Sequence, residues 1–94
     1  MATVGPAPRV PLPIDELSGE LWFEVDRFAE ARDSFARATT LAPTPNAWVG
    51  LARAADKLGD RVAPCRAYLE VRGTQGLPPD VDIEVSLYLL KCQV

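Results

Sequence analysis

Residues 27–43 read RFAEARDSFARATTLAP. Phe28, Ala31, Phe35, Ala38 and Leu41 recur every three or four positions, which stacks them along one face of a helix that Pro43 brings to an end. Rings separated by alanines give that face high and low ground. The small residues let a neighbouring backbone come close, and the rings fill the grooves on either side. The segment therefore predicts a helix packed inside a layer of other helices.

The flanking sequence supplies the neighbours. Upstream, Ile14, Leu17, Leu21 and Val25 recur at helical intervals with Trp22 beside them, Pro13 suits the first turn, and Asp26 and Arg27 break the pattern. This stripe is expected to face the core. Downstream, Thr44 is a cap and Pro45 a first helical residue. Trp48, Leu51, Ala52, Ala55 and Leu58 then form a stripe that stops at Gly59. Asp60 caps the next helix, which carries Val62, Cys65, Tyr68, Leu69 and Val71 before Gly73. Two helix pairs thus repeat at a spacing of about 33 residues. After GTQGLPP, the segment DVDIEVSLYLLKCQV alternates like a strand at Val81, Ile83, Val85, Leu87 and Leu89, yet Val81, Val85, Tyr88, Leu89 and Cys92 also fit a helix. Helix is the expectation, because Pro79 and Asp80 form a helix start and a lone strand would have nothing to pair with.

Composition narrows the chemistry. Ninety-four residues make one small domain, with 48% apolar and 24% charged side chains, as in globular proteins. A net charge of -3 and no cluster of Lys and Arg exclude a general nucleic-acid binder. No stretch approaches the roughly 20 apolar residues that span a bilayer, and no signal-peptide core is present, so no membrane insertion and a cytoplasmic location are expected. There is no histidine, which removes the usual general base at neutral pH and the commonest metal ligand, so neither metal nor cofactor is expected. Acid pairs such as Asp15 and Glu16, or Asp80 and Asp82, stand at helix starts, where they favour the helix dipole. Cys65 and Cys92 are too few and too far apart for a disulfide framework or a zinc module. They are expected to be reduced packing residues, at least partly buried; a single disulfide is open to them if their helices touch. Pro6, Pro8, Pro11 and Pro13 mark residues 1–12 as a proline-rich tail or linker. Its PRVP has the spacing of a polyproline ligand but is read as plain linker.

Gly19, Trp22, Ala31, Phe35, Ala38 and Pro43 stand in the register in which the tetratricopeptide repeat family places a small residue, an aromatic, alanine, an aromatic, alanine and proline. The next unit, WVGLARAADKLGD, resembles that family's first helix through Trp48, Leu51, Ala52 and the Gly59–Asp60 turn. It departs where Pro64 and Val71 replace alanines, and Asp26 stands at a turn where glycine is usual. The resemblance covers roughly residues 12–72. It implies an all-α fold, a right-handed superhelical stack of antiparallel helix pairs at 13–43 and 44–72 closed by a final helix at 79–92, about five helices within a domain spanning 13–94. Because about three units are normally needed to bury such faces, two units plus one helix invite self-association as a homo-dimer or a place in a larger parent protein.

The resemblance further implies a non-catalytic module that binds a protein or peptide segment in a groove lined by the first helix of each pair. Carried over by register, the groove residues are Glu16, Glu20, Phe23 and Glu24, then Asn46, Val49, Arg53, Asp56 and Lys57. Independently of the family, Glu16, Glu20 and Glu24 recur every four residues on one face, and a basic partner would offset their repulsion. Phe23 falls off the Leu17, Leu21 and Val25 stripe and is expected to be an exposed contact anchor, whereas Trp22, Trp48, Phe35 and Tyr68 are expected in the core. The competing readings are a terminal structural or oligomerisation domain of a larger enzyme or envelope protein, with its groove filled intramolecularly, and a catalytic helical domain working with carboxylates alone.

Overall fold

The computed structural model describes residues 14–92. The expected tail at 1–12, with its PRVP spacing, and Pro13 as a helix starter lie outside the described residues. Among the described residues five helices follow one another: α1 (Ile14–Glu24), α2 (Phe28–Leu41), α3 (Pro45–Lys57), α4 (Ala63–Val71) and α5 (Pro79–Lys91). No strand occurs among the described residues, and the ambiguous last segment is helix. Each helix packs on the next, and α1 also reaches α3 across α2.

The boundaries follow from local chemistry. Asp26 takes a left-handed φ of 61° to fold α1 back onto α2, a conformation that costs an L-residue energy and that Asp tolerates better than most. Thr44 caps α3, its hydroxyl accepting from the Ala47 amide at 3.0 Å, with Pro45 in the first turn. Gly59 ends that helix at φ 85°. The carboxylate of Asp60 then accepts from the amides of Val62 and Ala63, at 2.8 and 3.0 Å, and so satisfies the start of α4. These two bonds hold the Asp60 carboxyl below its ordinary value.

The seam is built from small residues, as the alternation of rings and alanines requires. Ala31, Ala38, Ala47, Ala52, Ala54, Ala55 and Ala67 are all buried. At the N-terminal end the Phe35 ring is wedged between two glycines: a methyl group on Gly19 of α1 would come within 2.8 Å of the ring, and one on Gly50 of α3 would overlap it. At the other end Val49, Ala52, Ala67, Tyr68, Val71, Val85 and Leu89 form a second cluster that draws in α5.

The expectation for α1 is reversed. Its stripe does not face the core: Ile14, Leu17, Leu21 and Val25 are exposed, and the buried side is the one carrying Gly19. Phe23, expected outside, is half-buried against Ala31, Phe35 and Ala54 and meets the Phe28 ring edge-on at 5.0 Å. Trp22, expected inside, lies towards solvent beneath the Arg27 guanidinium, 5.5 Å from the ring centre. The physical reason is that Phe35 needs a notch, and only the Gly19 side of α1 has one. Leu41, Val62 and Leu69, read as stripe members, are likewise exposed. Phe35 and Tyr68 are buried and Trp48 is half-buried against the second cluster.

The cysteines are also corrected. Cys65 of α4 and Cys92, just past α5, are joined by a disulfide. The helices do touch, which is the condition under which the bond was open to them.

Candidate interaction surfaces

The nine residues assigned to a groove come from α1 and α3, and α3 is linked through them to α1 on one side and to α5 on the other. Most are already engaged. Glu16 accepts from the Thr44 hydroxyl at 2.7 Å and from the Asn46 amide at 2.6 Å, and the same amide also reaches Glu20 at 2.6 Å. On the far side of α3, Arg53 makes a bidentate pair with Glu84 of α5, and the Tyr68 hydroxyl donates to the same carboxylate. Asp56 accepts from the Tyr88 hydroxyl at 2.8 Å. Lys57 stands over the Phe28 ring at 5.8 Å. Val49 is 3% exposed and belongs to the core, not to any surface, because its side of α3 turns towards α4 and α5. Glu24 makes no hydrogen bond or ion pair to another described residue.

Electrostatics follow from this pairing. Arg53, and secondarily the Tyr68 hydroxyl, hold the Glu84 carboxyl below its ordinary value against the opposing effect of burial. The Tyr68 phenol is pushed well above its ordinary range, by burial first and by the bond to Glu84 second. Burial and the bond to Asp56 push Tyr88 up to about 12. The cluster fastens α5 to α3 and α4. What is left of the groove is a recess of about 200 Å³ with Phe23, Phe35 and Gly50 as its floor and Glu20, Glu24 and Arg53 around it.

A larger free surface lies on the other side of Glu20 and Glu24. The outer face of α1 presents Leu17 at 57%, Leu21 at 60%, Val25 at 62% and Trp22 at 39% exposure. With Ser18, Glu20 and Glu24 they surround an open depression of about 650 Å³. The two glutamates are thus the ridge between the recess and this apolar face, and they serve both. Arg37 of α2 neutralises Asp15 at 3.2 Å near the start of α1, but no base reaches Glu20 or Glu24 among the described residues.

A third depression, polar and about 270 Å³, opens beside the disulfide and is lined by Asp56, Asp60, Arg61, Tyr88 and Lys91. No group of three or more candidate metal ligands converges among the described residues. No helix there is long and apolar enough to cross a membrane.

Hydropathy patterning located the apolar face of α1 but aimed it inwards. Glycine carries no hydropathy signal, so the Gly19 side read as polar when it was the packing side. The signal that was available is steric: a glycine in mid-helix is costly unless a neighbour needs the space. Set against protein-family profiles, curated proteins and solved structures, the chain has no match.

Proposed function

We propose that this chain is a tetratricopeptide-repeat-like helical module that docks a protein partner and performs no chemistry itself, and that its docking face is the apolar outer side of α1 rather than the groove. The repeat reading is supported by the register of Gly19, Ala31, Phe35 and Ala38 along one buried seam. The observation that carries the docking reading is the run of Leu17, Leu21, Trp22 and Val25 left exposed together on the first helix. Contiguous apolar surface of this kind marks contact sites in soluble proteins. Trp22 and its neighbours are anchors of the type that dominate interface energies. The Glu20–Glu24 ridge selects a partner whose apolar contact is bordered by Lys or Arg.

A second reading has its own support. The groove side chains satisfy one another, and both end helices keep apolar outer stripes, as in a stack whose next layers belong to a larger parent protein. The Cys65–Cys92 bond favours an oxidising compartment over the cytoplasmic one expected from composition.

Photo-crosslinkers placed singly at positions 21 and 57 of the full chain, in cells that make it, distinguish the faces. Adducts with another protein from position 21, lost when Glu20 and Glu24 become lysines, are the expected result. Adducts only from position 57 would return the site to the groove, and adducts from neither would remove the docking function.

A further inference from the structure

The last helix has two apolar faces, and only one of them is used. Val85 and Leu89, with Val81, Tyr88 and Cys92 beside them, pack against α3 and α4. Ile83, Leu87 and Leu90 point away from the stack at 58, 59 and 63% exposure. Their spacing of four and three residues sets them in one stripe along the outside of α5.

Two exposed charged residues stand beside that stripe, Asp80 in the first turn and Lys91 in the last, whose ammonium rests 4.3 Å over the Tyr88 ring and has to swing outwards to pair across a contact. At 3.6 residues per turn they are about three turns apart and separated by only about 20° around the axis, so both lie on the same flank. An acid at one end of a flank and a base at the other complement a second identical helix in the antiparallel arrangement. About a two-fold axis near Leu87, Ile83 of each copy comes opposite Leu90 of the other, and each Asp80 comes beside the other's Lys91. In a parallel pair each acid is level with the other copy's acid and on the opposite flank, so neither meets a base.

We propose that a second copy of this chain docks on the outer face of α5, through an isologous antiparallel pairing of the Ile83–Leu87–Leu90 stripes locked in register by two Asp80–Lys91 pairs. The outer face of α1 does not take this role. Its border is Glu20 and Glu24, and the base that reaches it, Arg27 over Trp22, is already paired with Glu30, so like would meet like. Nor does α1 offer a base for Asp80 in a head-to-tail contact. The Cys65–Cys92 bond and the Arg53–Glu84 pair hold α5 against the stack, so little ordering is required when the copies meet. A single pair of 13-residue helices is small for an interface, which places the dimer at the weak, concentration-dependent end.

Sedimentation equilibrium of the full oxidised chain over a concentration series tests this. The average mass should climb towards twice that of the monomer. Leu87→Glu, and the uncharged Leu87→Gln, should hold it at the monomer, with circular dichroism confirming that the exposed substitutions leave the helices intact. Asp80→Lys or Lys91→Glu alone should weaken association by about tenfold, and the two together should restore it. Leu21→Glu on α1 should change nothing. A monomer at every concentration, a dimer that survives Leu87→Glu, a dimer lost with Leu21→Glu, or a charge swap that fails to restore association would each overturn the proposal. These outcomes are independent of the α1 docking function, which concerns the opposite end of the stack.

Discussion

Helices α1 to α3 and helices α4 to α5 solve the same problem with different physics. At the N-terminal end the helices interlock: one ring, Phe35, fills the notch left by Gly19 and Gly50, and alanines line the rest of the seam. At the C-terminal end α4 and α5 share far less of their length. There the contact is completed by a covalent bond between Cys65 and Cys92 and by a polar clamp in which Glu84 serves both Arg53 and Tyr68. Shape complementarity cannot be removed without rebuilding the core, whereas a disulfide and a carboxylate respond to reductant and to acid. One end of the stack should therefore be insensitive to solution conditions and the other tunable by them.

The sharpest way to break this contrast is at its apolar end. Phe35→Ala should cost about 3–5 kcal/mol, enough to unfold a domain of this size, and thermal melting would show the whole stack lost rather than α1 alone. At the other end, opening the Cys65–Cys92 link by reduction, or by replacing both residues with serine, should cost about 3 kcal/mol given their sequence separation of 27. Hydrogen exchange should then show protection lost in α5 while α1 to α3 keep theirs. Equal loss in both regions would mean that the stack is a single cooperative unit with no softer end.

The polar clamp comes next. Glu84→Gln should cost about 1–2 kcal/mol at neutral pH, a figure reduced for the partial exposure of both partners. Because the folded carboxyl sits below the ordinary 4.5, its contribution is fully present above that value and is lost as pH falls through the folded value. Urea titrations should therefore show the advantage of the parent chain over Glu84→Gln shrinking as the buffer is taken below pH 4.5, with Phe35→Leu showing no such dependence. The smallest effect belongs to the α1–α2 turn. Asp26→Gly should stabilise by about 0.5–1 kcal/mol by relieving the left-handed strain at φ 61°. A loss of stability there would show that the Asp26 side chain has a role of its own.

How legible all this was depended on what kind of signal each element carried. The helix boundaries were readable because Thr44, Pro45, Gly59 and Asp60 act through local backbone chemistry that does not depend on the rest of the fold. The seam around Ala31, Phe35 and Ala38 was readable because a helix with neighbours on both sides has to alternate large and small. The direction of α1 was not, since a helix at the end of a stack can be apolar on a side that packs against none of the described helices. Helix α5 was read correctly but against a competing signal: its strand-like alternation is what results when Val81, Val85 and Leu89 point inwards and Ile83 and Leu87 outwards. Of the groove residues, Val49 lies in the core and most of the others are held by partners within the same stack. Their partners were out of reach, because Arg53 meets Glu84 across 31 positions of sequence and no local pattern announces that pairing. The disulfide was hidden likewise, its two cysteines sharing a spacing that fits no recognised framework.

The ring held between two glycines also constrains how such a chain can change over time. Phe35, Gly19 and Gly50 behave as one mutational unit, since a methyl group on either helix has nowhere to go while the ring remains. Gly19→Ala and Phe35→Leu should each be harmful alone and partly compensate when combined, a non-additivity expected of groups that share one space. In diverged relatives, alanine at either glycine position should travel with an aliphatic residue in place of the ring, so that covariation of these three columns would trace the lineage of the stack.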